Sequence, residues 1–111
     1  MSVASVTARI AQGVSSIPAS EWDACAGTDN PFVGHAFLSI LERSSSAGAQ
    51  AGWQPLPVIV DGADGRAAAI APAYAKSHSQ GEYVFDHGWA DAWERAGGDY
   101  YPKLQIAVPF T

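Results

Sequence analysis

The sequence predicts an α+β fold, in which a small and mostly antiparallel sheet carries helices packed on it. Apolar residues recur at helical spacing in three segments and alternate in strand fashion in others. A run of Asp, Gly and Ala at 61–65 has the composition of a hairpin turn. The predicted order is therefore strand, helix, helix, strand, strand, helix, strand. With 111 residues, of which 48% are hydrophobic, the chain can form one globular domain over residues 1–111.

The first part of the chain predicts one strand and two helices. Alternation over residues 6–12 is typical of a strand with one covered face. Ile17-Pro18 opens a short helix that Gly27 stops. Its apolar side consists of Trp22, Cys25 and Ala26. Asn30-Pro31 supplies the N-cap and first-turn proline of a second helix. The buried stripe predicted for this helix consists of Val33, Ala36, Phe37, Ile40 and Leu41, with His35 and Glu42 lying off it.

The middle of the chain changes to strand periodicity. Residues 56–60 predict a strand whose start lies at a sheet edge, because Pro55 and Pro57 cannot donate to a ladder. The return strand, residues 66–76, is rich in alanine and would let a helix approach the sheet closely. Pro72 within it predicts a bulge or a splay of the ladder.

Residues 79–98 predict one long amphipathic helix around which the rest of the chain is organised. Ser79 and Glu82 have the spacing of a capping box, and Gly97-Gly98 supplies a C-terminal stop. The apolar stripe, which needs a broad covering surface, consists of Gly81, Phe85, Gly88, Trp89, Ala92, Trp93 and Ala96. The opposite side, on which we expect any chemistry to lie, consists of Glu82, Asp86, His87 and Asp91.

Asp86 and His87 are the candidate catalytic residues on that polar side. A carboxylate beside His87 could orient the imidazole as a base that deprotonates an amine acceptor. Glu82 lies one turn before Asp86 and is a candidate for binding the substrate. The alternative is a solvated helix face, because acidic residues in the first turns favour the helix dipole without any catalysis.

Lys76, Tyr101 and Lys103 flank the predicted helix, together with Tyr100, and are candidates for substrate binding. If these side chains converge, they form a basic pocket with an aromatic rim for a phosphate or a carboxylate. The alternative is that the tyrosines pack a helix-to-strand turn and the lysines are exposed. We predict no metal site, since the histidines and carboxylates follow no known ligand spacing.

Composition excludes several classes of protein. A net charge of −5 with six scattered basic residues argues against a nucleic-acid surface. A single cysteine, Cys25, excludes an internal disulfide and a thiolate metal site, and suits a reducing compartment. The sequence shows no signal-peptide pattern at its start and no apolar run of the roughly 20 residues that a membrane span needs. We therefore expect a cytoplasmic domain.

The run from Pro72 to Thr111 resembles one family, and residues 77–110 carry most of the resemblance. Asn30-Pro31-Phe32, His35-Ala36-Phe37-Leu38 and Gly52-Trp53-Gln54-Pro55 match earlier segments of that family in the right order. It is the bacterial peptidoglycan biosynthesis/recognition family, which is grouped with GNAT-like acyltransferases and related to the FemAB-type aminoacyl transferases. The resemblance covers nearly the whole chain.

The resemblance implies an acyl-CoA N-acyltransferase-like fold and a longer protein of which this chain is the N-terminal part. It also implies an N-acyl or aminoacyl transferase whose amine acceptor is a cell-envelope precursor, with acyl-CoA or aminoacyl-tRNA as donor of the full-length protein. The R/Q-x-x-G-x-G/A loop of ordinary acetyltransferases is absent, so we expect no cofactor site in this fragment and no activity of the fragment alone. The alternative is a non-catalytic module that recognises an envelope precursor or a protein partner.

Residues 103–110 alternate apolar and polar side chains and predict a final strand. Sequence beyond it would normally continue or cover this strand. Without that sequence we expect an exposed edge or an exposed apolar face, and therefore self-association of the chain.

Overall fold

The computed structural model describes residues 7–78 and 86–109 and confirms the α+β class; it also follows the predicted order of elements, except that four strands in place of two lie between the second and third helices. Among these residues there are six strands and three α-helices. In chain order they are β1 Ala8–Ile10, α1 Ala19–Ala26, α2 His35–Arg43, β2 Trp53–Pro55, β3 Val58–Asp61, β4 Ala67–Ala71, β5 Ala73–Lys76, α3 His87–Arg95 and β6 Lys103–Ile106. The described helices are too short and too polar to cross a bilayer.

The strands form two antiparallel sheets of three strands each, ordered β1-β3-β4 and β2-β5-β6. One hairpin contributes to both. Pro55 pairs with Tyr74 in one sheet and Val58 pairs with Ala71 in the other, which is a single continuous register. Pro57 therefore falls opposite Pro72, at the point where the ladder divides.

The proline pair explains both a success and an error of the sequence analysis. The splay predicted at Pro72 is confirmed, because β4 and β5 enter different sheets on either side of it. The single strand predicted over residues 56–60 is wrong, since β2 ends at Pro55 and β3 begins at Val58. Proline has no N–H to give to the ladder, and here two prolines occupy the same rung.

The main core lies between the first sheet and helices α1 and α2. Its buried residues are Ala11, Val14, Ile17, Trp22, Leu38 and Ile59. Trp22 is fully buried, and its indole Nε1 donates to the carbonyl of Val33 at 2.9 Å. Helix α1 lies against the alanine-rich strand β4, where Glu21 accepts the backbone N–H of Ala67 at 2.6 Å. Gly27 ends α1 with φ 77°, as predicted.

Strand β1 does not have the covered face predicted for it. All three of its residues are exposed, and Ile10 is 65% accessible. The strand lies at the edge of its sheet, and Arg9 pairs there with Asp61 across the ladder at 2.8 Å. Burial begins only beyond the strand, at Ala11 and Val14.

The buried stripe predicted for α2 is confirmed only in part. Phe37 and Leu41 pack against the core, but Ala36 and Ile40 are exposed, and the buried residues are Leu38 and Ser39. The pattern assumed one continuous helix from Asn30. Instead residues 31–33 form a separate 3₁₀ turn capped by Asn30, and Gly34 is extended with ψ 155°. Within α2, the face that meets the core is centred on Leu38, with Phe37 and Leu41 beside it.

Glu42 lies one turn after Leu38, on the side of α2 that meets the core. Its carboxylate accepts the backbone N–H groups of Val14 at 2.6 Å and Ser15 at 3.0 Å, and the Ser15 hydroxyl at 2.7 Å. These N–H groups open the 3₁₀ turn Val14–Ser16, whose own backbone provides no acceptor for them. Gly13 lets the Glu42 carboxylate come this close to the backbone, because the Cβ of any other residue at this position would lie only 2.7 Å from a carboxylate oxygen.

The single helix predicted over residues 79–98 is wrong in its bounds: α3 begins only at His87, with the non-helical Asp86 as its N-cap, and ends at Arg95. The predicted capping box and the part of the stripe before residue 86 lie outside the described residues. The stripe within α3 is not covered: Trp89 is 77% exposed, Trp93 is 57% exposed, and the buried residue is Ala90. An amphipathic pattern identifies a face that can be buried, but it supplies no surface to cover that face.

The predicted C-terminal stop is confirmed. Gly97 has a φ of 94°. Its N–H donates to the carbonyl of Glu94 at 3.0 Å, and the N–H of Gly98 donates to the carbonyl of Trp93 at 3.0 Å. This is the Schellman arrangement. A side chain at Gly98 would overlap the Trp93 indole. The motif reverses the chain and directs residues 100–103 back toward the start of α3.

The contrast between two tryptophans can be measured. We expect Trp22→Ala to lower the free energy of unfolding by about 3–5 kcal/mol, because it leaves a large cavity in the core. Trp89→Ala should change it by about 0.5 kcal/mol or less, since that side chain is exposed. Urea unfolding followed by far-ultraviolet circular dichroism measures both. Equal losses would mean that the stripe of α3 is buried after all.

Glu42 offers a second test of stability. We expect Glu42→Ala to cost about 1–3 kcal/mol, because the N–H of buried Val14 would lose its acceptor. Glu42→Gln keeps one acceptor oxygen and should recover part of the loss. Glu94→Ala, an exposed change on α3, is the matched control and should be nearly neutral. A neutral Glu42→Ala variant would contradict the role assigned to this carboxylate.

Candidate functional site

One face of the second sheet collects three charged or aromatic side chains. The register places Trp53 opposite Lys76, and Lys76 opposite Lys103, across β2, β5 and β6. Directly paired residues of antiparallel strands share a face of the sheet. Trp53 is 2% exposed and Lys76 is fully buried, while the Lys103 side chain is 10% exposed.

Lys76 lies on the Trp53 ring. Its ammonium nitrogen is 3.7 Å from a ring centroid of the indole, which is a cation–π geometry in a desolvated position. Tyr74, two residues earlier on the same face, meets Trp53 edge-on with centroids 5.3 Å apart. Burial raises the pKa of the Tyr74 hydroxyl, and the Glu42 carboxylate adds to that shift. The aromatic pair thus forms a rigid wall beside the lysine.

Trp53 is positioned by the turn that precedes it. Gly52 adopts a left-handed conformation with φ 78°, and the His78 ring packs so closely on it that a side chain there would overlap the ring. Nε2 of His78 donates to the carbonyl of Ala51 at 3.0 Å. Only glycine can adopt this left-handed conformation and also leave room for the His78 ring.

Asp86 is the centre of the adjoining ionic cluster. Its Oδ2 accepts a hydrogen bond from the Tyr100 hydroxyl and another from the Lys103 ammonium, the latter at 2.5 Å. Asp86 stands at the N-cap of α3, yet its side chain makes no capping hydrogen bond. The carboxylate turns instead toward the residues that return after the Schellman motif. Its side chain is 20% exposed, so the cluster lies at the surface of the molecule.

The tyrosines form the rim of this cluster. Tyr100 and Tyr101 meet edge-on with centroids 5.0 Å apart, and the Lys103 ammonium lies 5.7 Å from the Tyr100 ring. The hydrogen bond to Asp86 raises the pKa of the Tyr100 hydroxyl; desolvation and the charge of Asp86 act in the same direction. The ionised carboxylate therefore holds Tyr100 in its protonated form.

The structure brings several of the candidate residues together. Asp86 and Lys103 are bonded to each other, Lys76 lies beside Lys103 on the sheet, and Tyr101 packs on Tyr100. His87 is the first residue of α3 and is exposed. Glu82 lies outside the described residues. The catalytic and binding roles of these residues stay predictions.

Trp53 was not among the candidate residues, and Tyr100 was named only as a residue flanking the predicted helix. The sequence signal for Trp53 is the glycine that precedes it. Gly52 can adopt the left-handed backbone conformation that fixes the position of the following residue. Tyr100 is signalled by its position just after the helix stop, although its bond to Asp86 depends on the reversal of the chain. Within residues 7–78 and 86–109, no group of three His, Cys, Asp or Glu residues is placed to hold a metal ion.

Comparison with known proteins gives the class to which this fold and site belong. Residues 13–111 match the model of the FemAB-like proteins, described as peptidoglycan biosynthesis/recognition. The chain belongs to this family, which confirms the assignment made from its motifs. No curated protein and no solved structure matches the chain.

The bond between Tyr100 and Asp86 predicts a pH dependence. A tyrosine whose pKa is raised in the folded state stabilises the fold fully below its unfolded pKa of about 10, and this contribution is lost as the pH rises through the raised value. Wild type should therefore be more stable than Tyr100→Phe by a constant margin at neutral pH. That margin should shrink above about pH 10.

Urea unfolding of the two proteins between pH 7 and 11 measures this margin, and Tyr101→Phe is the matched control. Because Tyr74 is present in both proteins, its own titration cancels in the comparison. A margin that grows with rising pH would contradict the assigned bond.

Proposed function

We propose that this chain is the acceptor-binding part of a GNAT/Fem-like N-acyl or aminoacyl transferase, and that its acceptor is an amine on a peptidoglycan precursor. The observation that carries the proposal is the convergence of Tyr100 and Lys103 on Oδ2 of Asp86, beside Lys76 and Trp53. Membership of the FemAB-like family supports the envelope precursor as the class of acceptor.

The lysines would recognise an anionic group of the precursor. An ammonium group has three N–H donors, so it can hold a carboxylate of the protein and an anionic ligand group together. Lys103 is the first cation that a ligand would meet, because Lys76, its neighbour on β5, is fully buried. Lys76 would add to the positive potential of the site from the adjacent strand. The tyrosine rim supplies apolar surface around the charged centre.

Asp86 and His87 would have different roles toward the acceptor amine. Bonds from Tyr100 and Lys103 stabilise the charged form of the carboxylate, which suits it to hold an ammonium group and not to take its proton. An imidazole takes up protons near neutral pH, and His87 is adjacent and exposed. His87 is therefore the proposed base, and Asp86 positions the acceptor.

The starts of α2 and α3 do not suit an acetyltransferase-type pyrophosphate site. Such a site uses the free N–H groups at a helix N-terminus. At the start of α2 the Asp23 carboxylate already accepts the His35 N–H at 2.9 Å, and at the start of α3 stands Asp86. Acyl-CoA and aminoacyl-tRNA therefore remain donors proposed for a full-length protein only. The lone free cysteine, Cys25, suits the cytoplasm as the proposed location.

The test uses the full-length protein with a labelled acyl donor and a soluble precursor peptide that carries a free amine and carboxylates. We expect His87→Ala and Asp86→Asn each to lower turnover by about 10²-fold or more, as loss of a positioned base or its partner does. Asp91→Asn, on the exposed side of α3, is the matched control. Undiminished turnover in both site variants would remove these roles.

A second candidate is a recognition module without turnover, which the engagement of Asp86 by Lys103 favours. In that case precursor peptide binds saturably and is never modified. Lys103→Met should then weaken binding by about tenfold, because a hydrogen bond to a charged group is lost, and Arg95→Met should not. Isothermal titration calorimetry decides this. Absence of both binding and turnover would reject both functions.

A further inference from the structure

Strand β6 is an edge strand with an open side. It pairs with β5, and no second neighbour occurs among the described strands. We propose that β6 pairs with β6 of a second copy of this chain around a two-fold axis at Gln105. The two three-stranded sheets would then join into one sheet of six strands.

The backbone of β6 has the required phase. Ala107 donates its N–H to the carbonyl of Pro72 at 3.1 Å, one step beyond the pairing of Ile106 with Ala73. Hydrogen-bonded and non-hydrogen-bonded pairs alternate along an antiparallel ladder. Gln105 and Lys103 therefore bond to β5, whereas Leu104 and Ile106 turn their N–H and C=O groups to the open side.

Strand β5 independently confirms this phase. The carbonyl of Ala73 accepts the N–H of Leu56 at 2.8 Å, and Ser77 donates to the carbonyl of Gly52 at 3.2 Å. These residues of β5 thus bond toward β2. By alternation, the backbone groups of Tyr74 and Lys76 bond toward β6, opposite Gln105 and Lys103.

A two-fold axis at Gln105 uses all the outward groups. Leu104 then lies opposite Ile106 of the second copy, and Ile106 opposite its Leu104, with four backbone hydrogen bonds between them. A shift that opposes Leu104 to itself would set Pro102, which has no N–H, against Ile106. The axis at Gln105 avoids this loss. Such self-complementarity is what a two-fold interface requires.

The side chains agree with this register. Leu104 is 64% exposed and Ile106 is 62% exposed, and the axis brings two of each into one cross-strand cluster. On the other face Lys103 would lie opposite Ala107 of the second copy. The charge of Lys103 is balanced by Asp86 at 2.5 Å, so no like charges oppose each other across the axis. Each copy has a net charge of −5, so the self-complementary backbone register and the apolar cluster, and not charge, favour a second copy as the occupant.

The proposed interface is small, and its position matters for the site. A few paired residues bury less than the roughly 1,200 Å² of a standard interface, so we expect association in the micromolar to millimolar range of about 10⁻⁶ to 10⁻³ M. Gln105 shares its sheet face with Lys103. The dimer would therefore place Gln105 and Ala107 of the second copy next to the ionic cluster of the first.

Amide hydrogen exchange of the unmodified chain tests the pairing directly. At low concentration the N–H groups of Leu104 and Ile106 should exchange rapidly, while that of Gln105 is protected by β5. Raising the concentration through the association range should protect Leu104 and Ile106 and leave Gln105 unchanged. Protection of Leu104 and Ile106 at every concentration would show that another segment covers the edge, and would overturn the proposal.

Sedimentation equilibrium of charged variants tests the register. Leu104→Lys and Ile106→Lys should each weaken self-association by about tenfold or more, and the double variant, which opposes lysines directly, should be monomeric throughout. Ile40→Lys places the same change on α2, where Ile40 is 52% exposed, and should leave association unchanged. Thermal unfolding confirms that each variant is folded. A monomeric wild type at millimolar concentration, or equal weakening by Ile40→Lys, would reject the interface.

Discussion

The meeting of Pro57 and Pro72 on one rung of a hairpin is the constraint on which the rest of the structure depends. This rung makes no hydrogen bond within the hairpin, because both proline carbonyls face outward; since neither residue has an N–H, the pair can accept from the flanking strands but cannot donate to them. The register is the same on both sides of the gap. The hairpin therefore stays one unit in sequence while its two halves serve different sheets.

This division separates stability from the candidate site. The first sheet, with α1 and α2, contains the apolar core around Trp22 and Ile59. The second sheet presents Trp53, Lys76 and Lys103 on one face, close to the start of α3. Backbone groups at the junction are still used: Ala11 donates to the carbonyl of Pro57 at 2.9 Å, and Ala107 to that of Pro72. The residues that follow β1 and β6 thus form hydrogen bonds to the proline pair, one on each side of the hairpin.

Local chemistry made most of the elements predictable. Gly27 and Gly97 end helices because they adopt left-handed backbone conformations, and Pro72 divides a strand because it lacks a donor. Such effects act within a few residues and are visible in sequence. The class of fold and most of the order of elements follow from features of this kind, whereas the family was recognised by the resemblance of longer segments.

Burial was less predictable because it depends on partners distant in sequence. The stripe of α2 was misplaced because the core contacts a face centred on Leu38, and periodicity alone does not determine which of two adjoining faces the core covers. Trp89 and Trp93 have the spacing of a buried face, yet they are exposed. The cluster at Asp86 depends on a reversal of the chain at Gly97 that brings Tyr100 and Lys103 back. Sequence proximity suggested His87 as the neighbour of Asp86, but it could not reveal these bonds.

The position of Asp86 at the start of α3 would make tryptophan fluorescence a reporter of the candidate site. The carboxylate that holds Lys103 also begins the helix that carries two solvent-exposed indoles, within two turns of it. A ligand that draws Lys103 away alters the electric field along that helix. Indole emission shifts with the local field, so the intrinsic fluorescence of α3 would record occupancy of the site without any added label.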